Sequence, residues 1–143
     1  MKVAVVGSRN LQVDDLENYL PENVTEIISG GAKGVDTCAK EYALAHRIRL
    51  TEYLPEYSRY GRSAPLRRNI TIIEQADLVL AFWDGVSRGT KYVIDNCRRR
   101  GIPVKVFLPR GSKIPGRSAG GSGTQQQQVS WSCIDIINFT EIP

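Results

Sequence analysis

Ser29-Gly30-Gly31-Ala32-Lys33-Gly34-Val35-Asp36 organises this 143-residue chain. The segment follows an apolar run at residues 24–28 and precedes residues 35–46, whose apolar side chains recur at helical spacing. The pattern therefore predicts a strand, a glycine turn and a helix. Glycines let a backbone turn sharply and approach a ligand, and the first N–H groups of a helix attract anions. A tight turn without any ligand is the alternative that this segment alone leaves open.

The rest of the chain continues the alternation of strands and helices. Further strands are predicted at about 2–6, 47–54, 77–83 and 104–108, with helices at about 65–75 and 89–100. Residues 14–20 predict a short helix, and the polar and aromatic segment 55–64 predicts a long loop. The predicted fold class is therefore α/β, a Rossmann-like three-layer sandwich with a mostly parallel five-stranded sheet and a late C-terminal extended segment.

Composition divides the chain into three predicted segments. Residues 1–109 are expected to form the α/β domain. Residues 110–128 are rich in Gly, Ser and Gln and predict a flexible linker. Residues 129–143 regain a strand-like alternation, which predicts a late strand packed on the domain.

Charge and composition narrow the classes of function. The hydrophobic fraction of 41% and the charged fraction of 24% are typical of globular proteins, and no apolar run reaches the roughly 20 residues of a membrane span. Three widely spaced cysteines and one histidine predict neither a disulfide framework nor a metal site. We therefore expect a cytoplasmic protein without a metal or a membrane partner. The net charge of +4 favours anionic partners.

Three glycine-containing turns each follow a strand of the predicted parallel sheet, so we expect them to meet at the carboxyl edge of the sheet. Ligands of such sheets bind at this edge. Arginine and lysine side chains there can bind phosphate, hydroxyls and helix amides can donate to it, and Trp83 can stack on a base. The predicted ligand-binding residues are Gly7, Ser8, Arg9, Ser29, Gly30, Gly31, Lys33, Gly34, Asp36, Arg68, Asn69, Trp83, Ser87, Arg88, Gly89 and Thr90. Catalytic residues stay unassigned, with Asp36 and Asp84, and also Glu52, as candidate carboxylates. Lys33 as a solvated loop lysine and Trp83 as a half-buried core residue remain alternatives.

Four motifs together resemble the SLOG superfamily of Rossmann-like nucleotide-ligand domains, in particular its YspA-related branch. The motifs are Gly7-Ser8-Arg9, the glycine turn 29–36, Tyr60-Gly61-Arg62-Ser63-Ala64 with Arg68-Asn69, and Ala81-Phe82-Trp83-Asp84-Gly85 with Ser87-Arg88-Gly89-Thr90. The resemblance covers about residues 2–108. The glycine turn is also similar to that of the DNA-processing protein A family, which shares the fold and binds single-stranded DNA. Residues 83–90 are more distantly similar to a motif of the LONELY GUY phosphoribohydrolases.

One departure from the hydrolase motif bears on function. That motif places a catalytic glutamate three residues after its threonine, where this chain has Val93. The resemblance therefore implies binding of a nucleotide or nucleotide-derived ligand, such as an ADP-ribose or NAD-like molecule, with no cofactor assigned. Neither a Walker A motif nor Gly-x-Gly-x-x-Gly occurs, which disfavours ATP hydrolysis and NAD oxidoreduction.

Two other functions stay open at this point. The first is cleavage of an N-glycosidic bond in a nucleotide. The second is binding of single-stranded DNA, with the arginines contacting phosphates and Trp83, Tyr57 and Tyr60 stacking on bases. The sequence also leaves open whether copies of the chain associate into a homo-oligomer.

Overall fold

The computed structural model describes residues 1–109 and 131–137, which form one twisted sheet with helices on both faces. The strands are β1 (Lys2–Gly7), β2 (Glu26–Ser29), β3 (Arg49–Glu52), β4 (Leu78–Phe82), β5 (Val104–Pro109) and β6 (Trp131–Ile137). The helices are α1 (Val35–Ala45), α2 (Tyr57–Tyr60), α3 (Ala64–Gln75) and α4 (Arg88–Arg100), with 3-10 turns at Leu16–Asn18 and Gly61–Ser63. The strand order is β3-β2-β1-β4-β5-β6. The first five strands are parallel, and this arrangement confirms the predicted α/β, Rossmann-like fold class.

Both faces of the central strands are buried, as their nearly continuous apolar sequence requires. Successive side chains of a strand point to opposite faces, so Val3 and Val5 join the core under α1. Ala4 and Val6 join the core under α3 and α4. Each face thus has its own apolar cluster, and β1 contributes to both.

The segment 55–64 was predicted as an irregular loop, and the structure corrects this. It contains the single-turn helix α2 and the 3-10 turn at Gly61–Ser63, which lead directly into α3. Gly61 has a φ of 56°, a conformation that favours glycine and lets the chain change direction between the two turns. Pro at the first turn of α3 is compatible with a helix start, because its missing N–H would have no helical acceptor.

The last strand, β6, pairs antiparallel with β5 and forms one edge of the sheet. Trp131 at its start is buried and meets the ring of Phe82 edge-on, with 5.0 Å between ring centroids. The predicted linker at 110–128 lies outside the described residues, and the three-segment division of the chain stays a prediction. No helix in the described ranges is long and apolar enough to cross a bilayer.

Two glycines permit a close contact between the start of α1 and the end of β1. A Cβ at Gly7 would lie 2.6 Å from Cγ2 of Val35 and 2.7 Å from the carbonyl oxygen of Phe82. A Cβ at Gly34 would lie 2.4 Å from the carbonyl oxygen of Arg9. Gly34 also has a φ of 74° and a ψ of −121°, which side-chain-bearing residues rarely adopt. The fold therefore requires glycine at both positions, whether or not a ligand binds.

We predict that Gly34→Ala lowers the free energy of unfolding by at least about 3 kcal/mol, since backbone strain and overlap with Arg9 add together. Gly101 is a matched control, because it has the same φ of 74° but open space where a Cβ would stand. Gly101→Ala should cost only about 1 kcal/mol. Urea denaturation of both variants measures the difference, and equal losses would contradict the packing argument.

Candidate functional site

A cleft of about 470 Å³ opens at the carboxyl edge of the sheet, at the ends of β1 and β4. The strand order reverses here, because β1 lies between β2 and β4. Open α/β sheets bind their ligands at this position. We call this site the switch-point cleft, and its lining residues are Val6, Gly7, Ser8, Arg9, Asn10, Gly30, Ala32, Asp36, Pro65, Leu66, Arg68, Asn69, Ile72, Ser87, Gly89, Thr90 and Val93.

The structure brings many of the predicted ligand-binding residues into this cleft and leaves others outside it. Those that line the cleft are Gly7, Ser8, Arg9, Gly30, Asp36, Arg68, Asn69, Ser87, Gly89 and Thr90. Those that do not line it are Ser29, Gly31, Lys33, Gly34, Trp83 and Arg88. These positions describe geometry, and contact of any of these residues with a ligand stays a prediction.

The wall on the α4 side begins with a tight turn held by Asp84. Its Oδ1 accepts hydrogen bonds from the N–H groups of Val86 (2.9 Å) and Ser87 (2.7 Å). Burial disfavours the charged carboxylate, but these hydrogen bonds outweigh burial, so the pKa of Asp84 lies below its ordinary value. This candidate catalytic carboxylate is therefore ionised and committed to shaping the turn that leads into α4.

Three hydroxyl groups form a chain along the same wall. The N–H of Asp84 donates to Oγ of Ser8 (3.2 Å), and Oγ of Ser8 lies 2.7 Å from Oγ of Ser87. Ser87 in turn donates to Oγ1 of Thr90 (3.3 Å). Either Ser8 or Ser87 can donate in the bond between them. Where Ser87 donates to Thr90, the proton of Thr90 is left at the end of the chain. Among the described residues no acceptor is recorded for it, so it is available to a group in the cleft.

The first turn of α4 adds backbone donors to these hydroxyls. The first N–H groups of a helix have no acceptor within the helix. In α4 the first N–H that donates to a carbonyl four residues earlier is that of Lys91, whose acceptor is Ser87. Gly89 and Thr90 line the cleft, and a Cβ at Gly89 would meet nothing within 4 Å. An anion can therefore approach the amides at the positive end of the helix dipole.

The wall on the β2 side is organised by Arg68, which reaches across from α3. Its Nη1 donates to the carbonyl oxygens of Gly30 (2.7 Å) and Tyr53 (3.2 Å). A Cβ at Gly30 would lie 2.5 Å from that nitrogen, so glycine makes room for the guanidinium. Nε of Arg68 is buried and has no hydrogen-bond partner among the described residues. Part of the hydrogen-bonding capacity of Arg68 is therefore used to hold the glycine turn.

Asp36 places a carboxyl group in the same wall. The residue is 7% exposed, and its Oδ2 accepts a hydrogen bond from the N–H of Ala32 (3.1 Å). Burial raises the pKa of Asp36 above its ordinary value, although the Ala32 hydrogen bond and the positive charge of Arg68 partly oppose this effect. When Asp36 is ionised it repels a phosphate beside it, and the guanidinium of Arg68 is already bonded to carbonyl oxygens, so the α4 side is the better anion site.

Two roles were predicted for Trp83, stacking on a base or a half-buried core position, and the structure shows a contact of its side chain with the protein itself. Nε1 of Trp83 donates to the carbonyl oxygen of Ser87 (3.0 Å), and the indole packs on the apolar cluster under α3 and α4. The residue does not line the cleft. Trp83 therefore supports the turn before α4 from outside the cleft, which fits the alternative of a half-buried core residue.

Sequence reasoning missed the apolar part of the cleft. Pro65, Leu66 and Ile72 of α3 and Val93 of α4 line it beside the predicted polar residues. One signal was present, since positions 65, 69 and 72 are spaced by four and three residues and so lie on one side of a helix with Asn69. In the described part of the chain, no group of three or more His, Cys, Asp or Glu residues could hold a metal ion.

Comparison with known proteins gives one family and one relative. Residues 1–82 match the family model of DNA recombination-mediator protein A. The Gene 61 protein of Mycobacterium phage D29 is 34% identical over 87 residues, which cover 57% of this chain and 70% of that protein. No solved structure matches the chain. The family match agrees with the resemblance of the glycine turn, whereas the narrower YspA-related assignment stays a prediction.

We predict that Asp36→Asn stabilises the protein at neutral pH. The amide keeps an oxygen for the Ala32 N–H but avoids burial of a charge. A carboxyl whose pKa is raised by folding stabilises the native state most at low pH, and this contribution is lost as the pH rises from 3.8 through the raised value. Wild type and variant should therefore unfold alike near pH 3 and differ at pH 7.

Urea midpoints measured between pH 3 and pH 8 test this prediction. Asp95→Asn is the control, because Asp95 forms an exposed ion pair with Lys91 and its loss should cost only about 0.5 kcal/mol at pH 7. A lower midpoint for Asp36→Asn than for wild type at pH 7 would show that the ionised carboxylate is favourable in the fold.

Proposed function

This chain belongs to the DNA recombination-mediator protein A family, and we propose that its switch-point cleft binds a nucleotide through the phosphate. The single observation that carries this proposal is the convergence of unbonded donors on one wall. The amides at the start of α4 and the hydroxyl of Thr90 face the same cleft, where they can share one phosphate group. Arg9, exposed at the end of β1, adds a cation to this cleft.

The remaining walls suit the other parts of a nucleotide. Asp36 is a hydrogen-bonding group for a ribose hydroxyl, and it can act as acceptor or donor according to its protonation. Pro65, Leu66 and Ile72 provide apolar surface for a base, with the amide of Asn69 beside them. The volume of about 470 Å³ lies in the range of ordinary ligand pockets.

Binding without hydrolysis is the form of this proposal that the cleft favours. Val93, which stands in place of the catalytic glutamate of the similar hydrolase motif, is buried and lines the cleft. Asp84 holds the turn before α4, and neither Asp84 nor Glu52 is among the residues that line the cleft. A nucleotide N-glycosidase would therefore have to use Asp36, whose raised pKa opposes the charged state that stabilises an oxocarbenium-like centre.

Single-stranded DNA binding is the second candidate, because the matched family is described as DNA recombination-mediator protein A. Arg59 and Arg62 are exposed on the segment that leads into α3, and Arg67 is exposed in the first turns of α3 itself. Tyr57 is 57% exposed and free to stack on a base. The ring of Tyr60, by contrast, is covered by the guanidinium groups of Arg59 and Arg67 at 5.0 and 4.5 Å.

We predict that Thr90→Val weakens binding of AMP about 10-fold or more, because a hydrogen bond from a hydroxyl to a charged phosphate is lost while the side-chain shape is kept. Thr25→Val is the control, since Thr25 is exposed at the other edge of the sheet and donates to the carbonyl oxygen of Met1. Titration calorimetry with AMP gives the affinities, and chromatography of the same mixtures detects any released adenine.

The outcomes separate the candidate functions. Binding of AMP without release of adenine supports the binding function. Release of adenine that Asp36→Asn abolishes supports the glycosidase. Binding of oligo(dT) with a steep dependence on salt, together with no effect of AMP, supports DNA binding instead. If neither AMP nor oligo(dT) binds, both proposals fail.

A further inference from the structure

A second cavity of about 620 Å³ lies next to the switch-point cleft, between α2, α3 and α4. We call it the α3 cavity, and Leu54, Tyr60, Arg67, Ile70 and Tyr92 are among its lining residues. Its volume also lies in the range of small-molecule pockets. None of the residues predicted to bind a ligand lines this cavity except Arg68.

The two cavities share a wall. Leu66 and Arg68 line both of them, so a ligand that fills the switch-point cleft lies directly beside the α3 cavity. Arg68 is fixed in this position by its hydrogen bonds to the carbonyl oxygens of Gly30 and Tyr53. A ligand with two linked units can therefore occupy both cavities, with its linkage passing the shared wall.

Arg67 is held in place among the charged residues that line the α3 cavity, where the carboxylate of Glu56 is paired with Arg59 at 3.6 Å. Its Nε donates to Oγ of Ser63 (3.1 Å), and Ser63 donates to the carbonyl oxygen of Tyr60 (2.9 Å). The guanidinium also lies over the ring of Tyr60, 4.5 Å from the centroid. Neither Nη group of Arg67 has a hydrogen-bond partner within residues 1–109 and 131–137. A guanidinium held in this way loses little entropy when it binds phosphate in forked geometry.

The lining of the α3 cavity includes a group of apolar residues, which we call its floor, beside polar residues such as Ser63 and Thr71. In this floor Leu54 is 61% exposed and Leu66 is 38% exposed. Ile70 and Tyr92 extend the same surface. An apolar floor beside a preset guanidinium matches a nucleoside or sugar unit attached to a phosphate.

We propose that the α3 cavity is a subsite for the second unit of a two-unit nucleotide ligand, with Arg67 binding the phosphate that links this unit to the nucleotide in the switch-point cleft. This inference rests on the proposed nucleotide-binding function. The linking phosphate can belong to a 5′–5′ pyrophosphate or to a 3′–5′ phosphodiester, which share the chemistry that Arg67 recognises. Arg67 is then a specificity residue that favours two-unit ligands over mononucleotides.

Titration calorimetry of the full chain with AMP, ADP-ribose and the dinucleotide pdApdA tests the subsite and distinguishes the two linkages. For wild type, at least one two-unit ligand should bind about 10-fold or more tightly than AMP, as expected for hydrogen bonds to a charged group. Arg67→Ala should remove this gain and change the affinity for AMP less than about 2-fold. Arg99→Ala, an equal loss of charge on the exposed end of α4, should preserve the gain.

A second variant tests the floor of the cavity without removing a positive charge. Leu54→Glu places a carboxylate on an exposed position of the α3 cavity and should weaken two-unit ligands selectively. Equal affinities of wild type for AMP and for both two-unit ligands would overturn the subsite while leaving nucleotide binding intact. The same conclusion follows if Arg67→Ala weakens AMP as much as the two-unit ligands. Absence of binding by all three ligands would overturn the proposed function itself, and the subsite with it.

Discussion

The close contact between the start of α1 and the end of β1 is the constraint on which the site depends. Val35 packs where a side chain at Gly7 would stand, and Gly34 lies against the backbone carbonyl of Arg9. This packing draws the glycine turn after β2 against the end of β1. The turn before α4 is joined to the same strand end by Ser8, whose Oγ accepts a hydrogen bond from the N–H of Asp84 and lies 2.7 Å from Oγ of Ser87. The cleft exists because two turns are held at one strand end.

The two walls of the cleft differ in charge, although both begin from glycine turns before helices. The α4 wall presents amides and a hydroxyl without a carboxylate at its surface, since Asp84 is turned into hydrogen bonds with Val86 and Ser87. The wall on the β2 side contains Asp36 and a guanidinium, that of Arg68, already bonded to carbonyl oxygens. An asymmetric ligand, with an anion at one end and hydroxyls at the other, fits this difference.

The fold followed from the sequence because its signals are local. Apolar runs of strand length and helical periodicity placed the elements of the parallel sheet, and the end of β4 was expected beside the ends of β1 and β2. The site followed only in part. The burial of Asp36 and the hydrogen bonds of Arg68 depend on α3 packing across the glycine turn, which no local pattern records. The same holds for Trp83, whose indole bonds to a carbonyl four residues ahead.

The hydrogen bond between Ser8 and Ser87 joins residues 79 positions apart, and this separation affects how the protein is made. During translation, β1, the glycine turn and α1 are synthesised long before α4. Before β4 and α4 follow, the end of β1 lacks its neighbouring strand and half of the cleft is missing. Bringing together residues so far apart is slow, because the long loop between them must first be closed. Any ligand that contacts both walls of the cleft therefore needs a domain in which the end of β1 and the start of α4 have already come together.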